Sequence, residues 1–208
     1  MSGGVTVSDD GIVTGNTYDK YGSGNPVVRR LMASFERTLD ELMEQAKPSS
    51  LLDVGCGEGV LVQRWAQSLP ETRFVGIDLV EESIQAGWAE HEAPNLEYRT
   101  MPAENLPFAD DEFAVATAIE VLEHVPDPEH TLAEMARCAE RHLLVSVPRE
   151  PLWRMLNMAR GAYIPQLGNT PGHLNHWSKR SFTKLLSRYG HVDEACSPFP
   201  WTMLLVHV

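Results

Sequence analysis

The stretch Leu51–Gly59, Leu-Leu-Asp-Val-Gly-Cys-Gly-Glu-Gly, constrains the fold of this chain more than any other. An apolar run ends in Asp53, and glycines follow at alternate positions, Gly55, Gly57 and Gly59. That pattern predicts a buried strand feeding a tight turn that opens a helix. A turn of this kind needs glycine, because a residue without a Cβ lets the backbone bend sharply and approach a ligand closely. Cys56 lies inside the turn, where a small side chain is wanted.

Around this stretch, short apolar runs alternate with amphipathic ones. Arg73–Asp78, Leu96–Met101, Phe113–Ile119 and His142–Val147 read as further strands. Between them lie helix signals, the clearest being Asp127 as N-cap, Pro128 at the first helical position, and Leu132, Met135 and Ala136 on one face. Upstream, Val27, Leu31, Phe35, Leu39 and Leu42 recur at helical spacing between Pro26 and Pro48, which predicts an N-terminal packing helix. Near-continuous apolar strands alternating with helices predict the α/β class, a mostly parallel sheet covered on both sides. At the end, Trp177 is placed to staple against Phe182 in a helix begun by Ser178 and capped by Gly190. His191–Cys196 and Trp201–Val208 then read as an antiparallel closing pair.

Two segments break the alternation. Residues 1–25, rich in Gly, Ser, Asp and Thr, predict a mobile N-terminal arm. Its Tyr18 and Tyr21 either anchor it or line a ligand cleft as substrate contacts. Residues 149–177 mix Trp153, Met155, Met158, Tyr163 and Leu167 with glycines and prolines, and predict a short helix plus an ordered cap. The expected organisation is therefore an arm at 1–25 and one domain at 26–208 with the cap inserted in it.

The ligand follows from charge and spacing. A formal net charge of −12, with no Lys/Arg cluster beyond pairs such as Arg29-Arg30 and Lys179-Arg180, disfavours nucleic acid as a partner. No apolar run approaches bilayer length and no signal peptide is evident, so a cytoplasmic location is expected. Three scattered cysteines suit neither a disulfide framework nor a zinc site. A dinucleotide fingerprint would space its glycines Gly-x-Gly-x-x-Gly, whereas position 60 is Val. Asp53 at the strand end would repel a pyrophosphate and suits a cationic amine instead. Asp78, at the end of the second strand, is placed to accept two hydrogen bonds from ribose hydroxyls. The implied ligand is a nucleoside bearing an amino-acid moiety.

With these residues in view, the sequence resembles the class I S-adenosyl-L-methionine (SAM)-dependent methyltransferases, and in particular those of ubiquinone and menaquinone biosynthesis. Leu51–Gly59 is similar to their first motif and Val75–Asp78 to their second; Met101–Phe113 resembles their adenine-binding loop, and Glu120-Val-Leu-Glu-His-Val-Pro-Asp-Pro the segment after strand four. The resemblance implies a Rossmann-like, doubly wound, seven-stranded sheet whose last strand is antiparallel. It implies SAM as methyl donor, S-adenosyl-L-homocysteine (SAH) as product, and a small-molecule acceptor. Carried over, Asp53, Gly55, Cys56 and Gly57 hold the methionine end, Asp78 the ribose, and Leu79, Ala103, Glu104 and Ile119 surround the adenine side. Pro102 stands where many relatives have an Asp that takes the adenine amino group, so a backbone carbonyl, Glu104 or water must serve.

Methyl transfer to a hydroxyl needs a group to remove its proton. The candidates are Glu120 and His124 after strand four and His173 in the cap, where His176 is a further substrate-binding candidate. The alternative for His124 is packing beside the methionine end. Glu120, Glu123 and His124 also match a spacing with which quinone O-methyltransferases hold a divalent cation; a solvated Glu123 is the simpler expectation, and no metal is assigned. The aromatics and methionines of the cap point to an apolar or aromatic acceptor methylated at oxygen or nitrogen; the alternatives are methylation of RNA or protein, or a non-catalytic SAM-binding subunit.

Overall fold

The computed structural model of the chain describes residues 25–79 and 82–208, together with the backbone of 6–7 and 13–14. Thr6–Val7 and Val13–Thr14 pair antiparallel. Tyr18 and Tyr21 lie outside the described residues.

The main sheet has seven strands: β1 (Ser50–Val54), β2 (Arg73–Asp78), β3 (Leu96–Thr100), β4 (Phe113–Ile119), β5 (Ala139–Pro148), β6 (His191–Cys196) and β7 (Trp201–His207). Their spatial order is β3-β2-β1-β4-β5-β7-β6. Five strands run parallel, and β7 is antiparallel to both of its neighbours, as expected for the closing pair. The chain reverses its direction of sheet building between β1 and β4. Beyond the carboxyl ends of those two strands the connections diverge and leave a crevice.

Alternate strand residues face opposite layers, which divides the core. Leu52, Val54, Ile77, Phe113, Leu143 and Val145 pack with Leu132 of α4 (Pro128–Cys138) and Phe182 of α6 (Lys179–Leu186). Leu51, Phe74, Val115, Leu144 and Leu205 pack on the other face, against α1 (Pro26–Ala46) and α2 (Val60–Ser68). The remaining helices are α3 (Glu82–Glu90) and α5 (Leu152–Ala159). Helix starts follow the capping residues: Asn25, Asp127 and Ser178 accept from Val27, His130 and Ser181 N–H. Trp177 packs on Phe182 with ring centroids 5.4 Å apart. No helix among the described residues is long and apolar enough to cross a membrane.

Two expectations need correction. β5 begins at Ala139, directly after α4, rather than at His142. α6 ends at Leu186 with Ser187 at its C-cap, so Gly190 does not cap it. A Cβ on Gly190 would strike the His207 carbonyl, and the glycine serves close approach to β7 instead.

The segment after β5 folds over the crevice. Asn157 Nδ2 donates to the Gly168 carbonyl and to Thr170 Oγ1, and Trp153 Nε1 donates to Thr170 Oγ1 as well. Asn175 Nδ2 donates to the carbonyls of Leu122 and Val125, which fastens the cap to the segment after β4.

Candidate active site

The glycine turn is fixed by bonds between β1 and β2. Gly55 and Cys56 N–H both donate to the Ile77 carbonyl, and Gly57 N–H donates to Asp78 Oδ2 at 2.6 Å. Asp78 Oδ1 accepts from Leu79 N–H, and Trp88 Nε1 donates to the Gly57 carbonyl. Gly57 has φ +55°, and a Cβ there would meet nothing within 4 Å, because this backbone faces an open cleft. Gly59 is left-handed too, and a Cβ on it would run into the Tyr98 hydroxyl. Gly55 is left-handed as well, and a Cβ on it would strike Val121, so the turn needs glycine twice for packing and once where the backbone faces the cleft.

Asp53 is the penultimate residue of β1 and is 3% exposed. Its Oδ1 accepts from Thr117 Oγ1 at 2.6 Å. Burial pushes its pKa up to about 7 against that hydrogen bond, and the nearby Asp78 charge adds to the rise. A buried carboxylate of this kind gains most from a cation placed beside it. Burial, then the charges of Asp53 and Asp78, push the Cys56 thiol far up, which leaves it inert.

A cavity of about 830 Å³ runs from the turn to the cap. Asp53, Gly55, Cys56, Gly57, Asp78 and Leu79 line its inner end, with Ala103, Glu104 and Ile119 beside them. Glu120, His124 and His173 line the middle. His176 does not: its ring is exposed, and Nε2 donates to Asn169 Oδ1 at 2.7 Å outside the cavity. The neighbouring Asn175 is turned inward to the carbonyls it holds, and this aims His176 outward.

The middle of the cavity is built across long sequence distances. His124 Nδ1 lies 3.0 Å from the Gly172 carbonyl and donates to it. His173, 8% exposed, meets His124 edge to face with centroids 4.9 Å apart and lies against Trp153 on its other side. Buried Glu123 completes a group with His124 and His173 in which one donor atom from each lies within 4.8 Å of the others. Glu120 is not a member of that group. Its Oε1 accepts from Ser146 Oγ and its Oε2 from Trp201 Nε1 at 2.6 Å, while its backbone is held at φ +61°. The spacing of Glu120, Glu123 and His124 thus does not bring all three together, and the cap's His173 stands where Glu120 was expected.

Sequence reasoning missed one wall altogether. Val27, Leu31 and Phe35 of α1 line the cavity together with Trp153 and Trp201, and Phe35 and Trp201 meet edge to face at 4.8 Å. These residues belong to the stripe that predicted a packing helix.

A family model described as a methyltransferase domain matches residues 27–194. A ubiquinone biosynthesis O-methyltransferase from Methylococcus capsulatus is 32% identical over 148 residues, covering 62% of this chain and 60% of that protein. One of the same name from Bordetella avium is 34% identical over 101 residues, covering 47% of this chain and 41% of the relative. The chain thus matches between 41% and 60% of the length of these two relatives. Among solved structures, magnesium protoporphyrin IX methyltransferase from Synechocystis with bound SAH has a TM-score of 0.65 at 18% identity, over 90% of each chain. At that identity the likeness shows the fold.

Proposed function

This chain belongs to the methyltransferase-domain family, and from that premise we propose that it is a SAM-dependent methyltransferase acting on a hydroxyl of a small apolar or aromatic acceptor. One observation carries the acceptor class. The outer cavity is walled by Leu31, Phe35, Trp153, Phe199 and Trp201, and it leads to the imidazoles of His124 and His173. The relatives named above as O-methyltransferases support oxygen as the accepting atom.

The inner residues fit SAM. Asp53 is a buried carboxylate that a ligand ammonium would pair with, and Gly57 presents open backbone to the cleft. Asp78, already oriented by Gly57 and Leu79 N–H, faces the cavity as the ribose acceptor. Leu79, Ala103, Glu104 and Ile119 form the adenine side, where Pro102 leaves the amino group to Glu104 or a backbone carbonyl. Bound there, SAM supplies a methyl group activated by its sulfonium.

The chain's own part is alignment, exclusion of water and one proton transfer. His124 Nε2 takes the acceptor hydroxyl proton as the oxygen attacks, and the Gly172 carbonyl holds the ring through Nδ1–H. His173 packs against His124 and closes the acceptor side. Glu120 acts as a positioning residue, tying Trp201 and Ser146 to the end of β4. Residues 26–208 act as one catalytic unit, with 149–177 as the acceptor cap. The net charge of −12 supports a small molecule over a polynucleotide.

The test is SAH release from purified protein given SAM and a panel of catechols, simple phenols, transfer RNA and peptides. Turnover is expected with catechols or phenols. Turnover confined to RNA or peptide would overturn the reading.

A further inference from the structure

Metal-ligating side chains converge a second time, at the end of the sheet opposite the crevice. His142 lies near the start of β5, Asp193 on β6, and His207 ends β7. His142 and His207 are direct cross-strand partners, and His191 of β6 is the partner of His207 on its other side. One rung therefore carries three histidines across three neighbouring strands. Direct partners project to the same face of a sheet. The rings of His142 and His207 meet there edge to face, with centroids 5.0 Å apart. The β6–β7 ladder shifts register between Val192 and Glu194, and a bulge of this kind re-aims a side chain. Asp193 sits at the shift, and its Oδ2 lies 3.4 Å from His142 Nε2. One donor atom from each of His142, Asp193 and His207 lies within 4.8 Å of the other two.

We infer that His142, Asp193 and His207 form a binding site for a divalent transition-metal cation of the zinc class. Zinc bound at 2.0–2.2 Å in a tetrahedron holds N and O donors on the order of 3.4 Å apart, which is the observed His142–Asp193 separation. Two imidazoles and one carboxylate favour zinc, nickel or copper over magnesium and calcium, which prefer oxygen ligands. Asp193 and His207 are exposed, so a cation can enter from solvent and keep water as its fourth ligand. Bound there, it would join β5, β7 and β6 and fasten the edge strand at the point where the bulge loosens it. The role is structural, far from the methyl-transfer cavity.

Zinc titration into the full chain by calorimetry, paired with thermal unfolding, tests this. The Glu123–His124–His173 group offers competing ligands, so variants must assign each binding event. Wild type should take up zinc with micromolar affinity and unfold at a higher temperature. His207→Ala and Asp193→Asn should each weaken one event at least tenfold and remove its thermal shift. His173→Gln should leave that event intact, and magnesium should not produce it. Unchanged SAH binding by the two surface variants checks that they are folded. Zinc affinity and thermal shift in His207→Ala equal to wild type, or a loss confined to His173→Gln, would overturn the inference.

Discussion

The two ends of the cavity are held in place by different means. At the inner end the turn is positioned mainly by its own backbone, with Gly55 and Cys56 N–H on the Ile77 carbonyl and Gly57 N–H on Asp78. At the outer end the cap is held by side chains, with Asn157, Trp153 and Asn175 donating to groups across the segment. A backbone-built site demands particular conformations and spacings and places few demands on other side chains. A side-chain-built site depends on pairs that meet only after folding. The first arrangement suits a ligand that stays the same across a family, and the second suits one that changes.

The largest expected effect breaks the inner end. Asp53→Asn should weaken SAH binding by about 100-fold, because a desolvated carboxylate facing an ammonium contributes several kcal/mol. Linkage gives this variant a second signature. Burial raises the Asp53 pKa from 3.8 to about 7. The folded state therefore holds its proton more tightly than the unfolded chain does. That contribution to stability is fully present below about pH 4 and is lost as pH rises through about 7, on the order of 4 kcal/mol in all. Without ligand, Asp53→Asn should thus unfold at a higher temperature than wild type at pH 8, with a smaller difference at pH 4. Calorimetry for SAH and thermal unfolding at the two pH values check both parts; SAH affinity within threefold of wild type would remove Asp53 from the cofactor site.

Next in size is the junction between the two ends. His124→Gln keeps a side chain able to reach the Gly172 carbonyl but lacks a basic nitrogen. With a phenolic acceptor, kcat should fall about 100-fold while SAH affinity stays within twofold. Equal losses in both would make His124 a packing residue beside the cofactor.

How much of this was legible in the sequence follows the same division. Asp53, the alternating glycines and Asp78 lie close along the chain, so their spacing and charge pointed to the turn and to a nucleoside bearing an amino-acid moiety, and the family resemblance narrowed that to SAM. The strand–helix alternation was legible because burial on both faces leaves near-continuous apolar runs. The contact of Trp201 with Glu120 spans 81 residues, and that of His124 with Gly172 spans 48. No local pattern records either. The α1 stripe shows the limit of periodicity, which marks an apolar face without telling whether core or cavity lies against it. His176 shows the same from the other side, since three positions from His173 it points out of the site.

That difference can be sharpened in the cap. Trp153 packs between His173 and Trp201 and bonds Thr170, whereas His176 touches Asn169 at the surface. Trp153→Ala should raise the acceptor KM about tenfold with SAH affinity within twofold, as expected for lost aromatic surface. His176→Ala should leave both within twofold. Steady-state kinetics with one good acceptor decides, and an equal effect of the two changes would mean that the cap acts as a unit rather than through its lining.

The smallest effect concerns the loop that brings Ala103 and Glu104 into the inner cavity. Here the inner end also relies on side chains. Arg137 donates to the carbonyls of Leu106 and Phe108, and Glu134 accepts from Arg137 and from Leu106 N–H. The Arg137 guanidinium, helped by Leu106 N–H and opposed by partial burial, holds the Glu134 pKa down to about 2. This lowered pKa contributes stability that is present above the unfolded value of 4.5 and lost as pH falls through about 2. The two side chains are 19% and 31% exposed, and solvent screening reduces the contribution to roughly 1–2 kcal/mol. Glu134→Gln should cost about that much in urea unfolding at pH 7, with the deficit shrinking below pH 4.5. SAH affinity should change by no more than about threefold, because the glycine turn and Asp53 are untouched. A loss of tenfold or more would show that the adenine side rests on this clamp, and the inner end would then be as dependent on distant side chains as the cap.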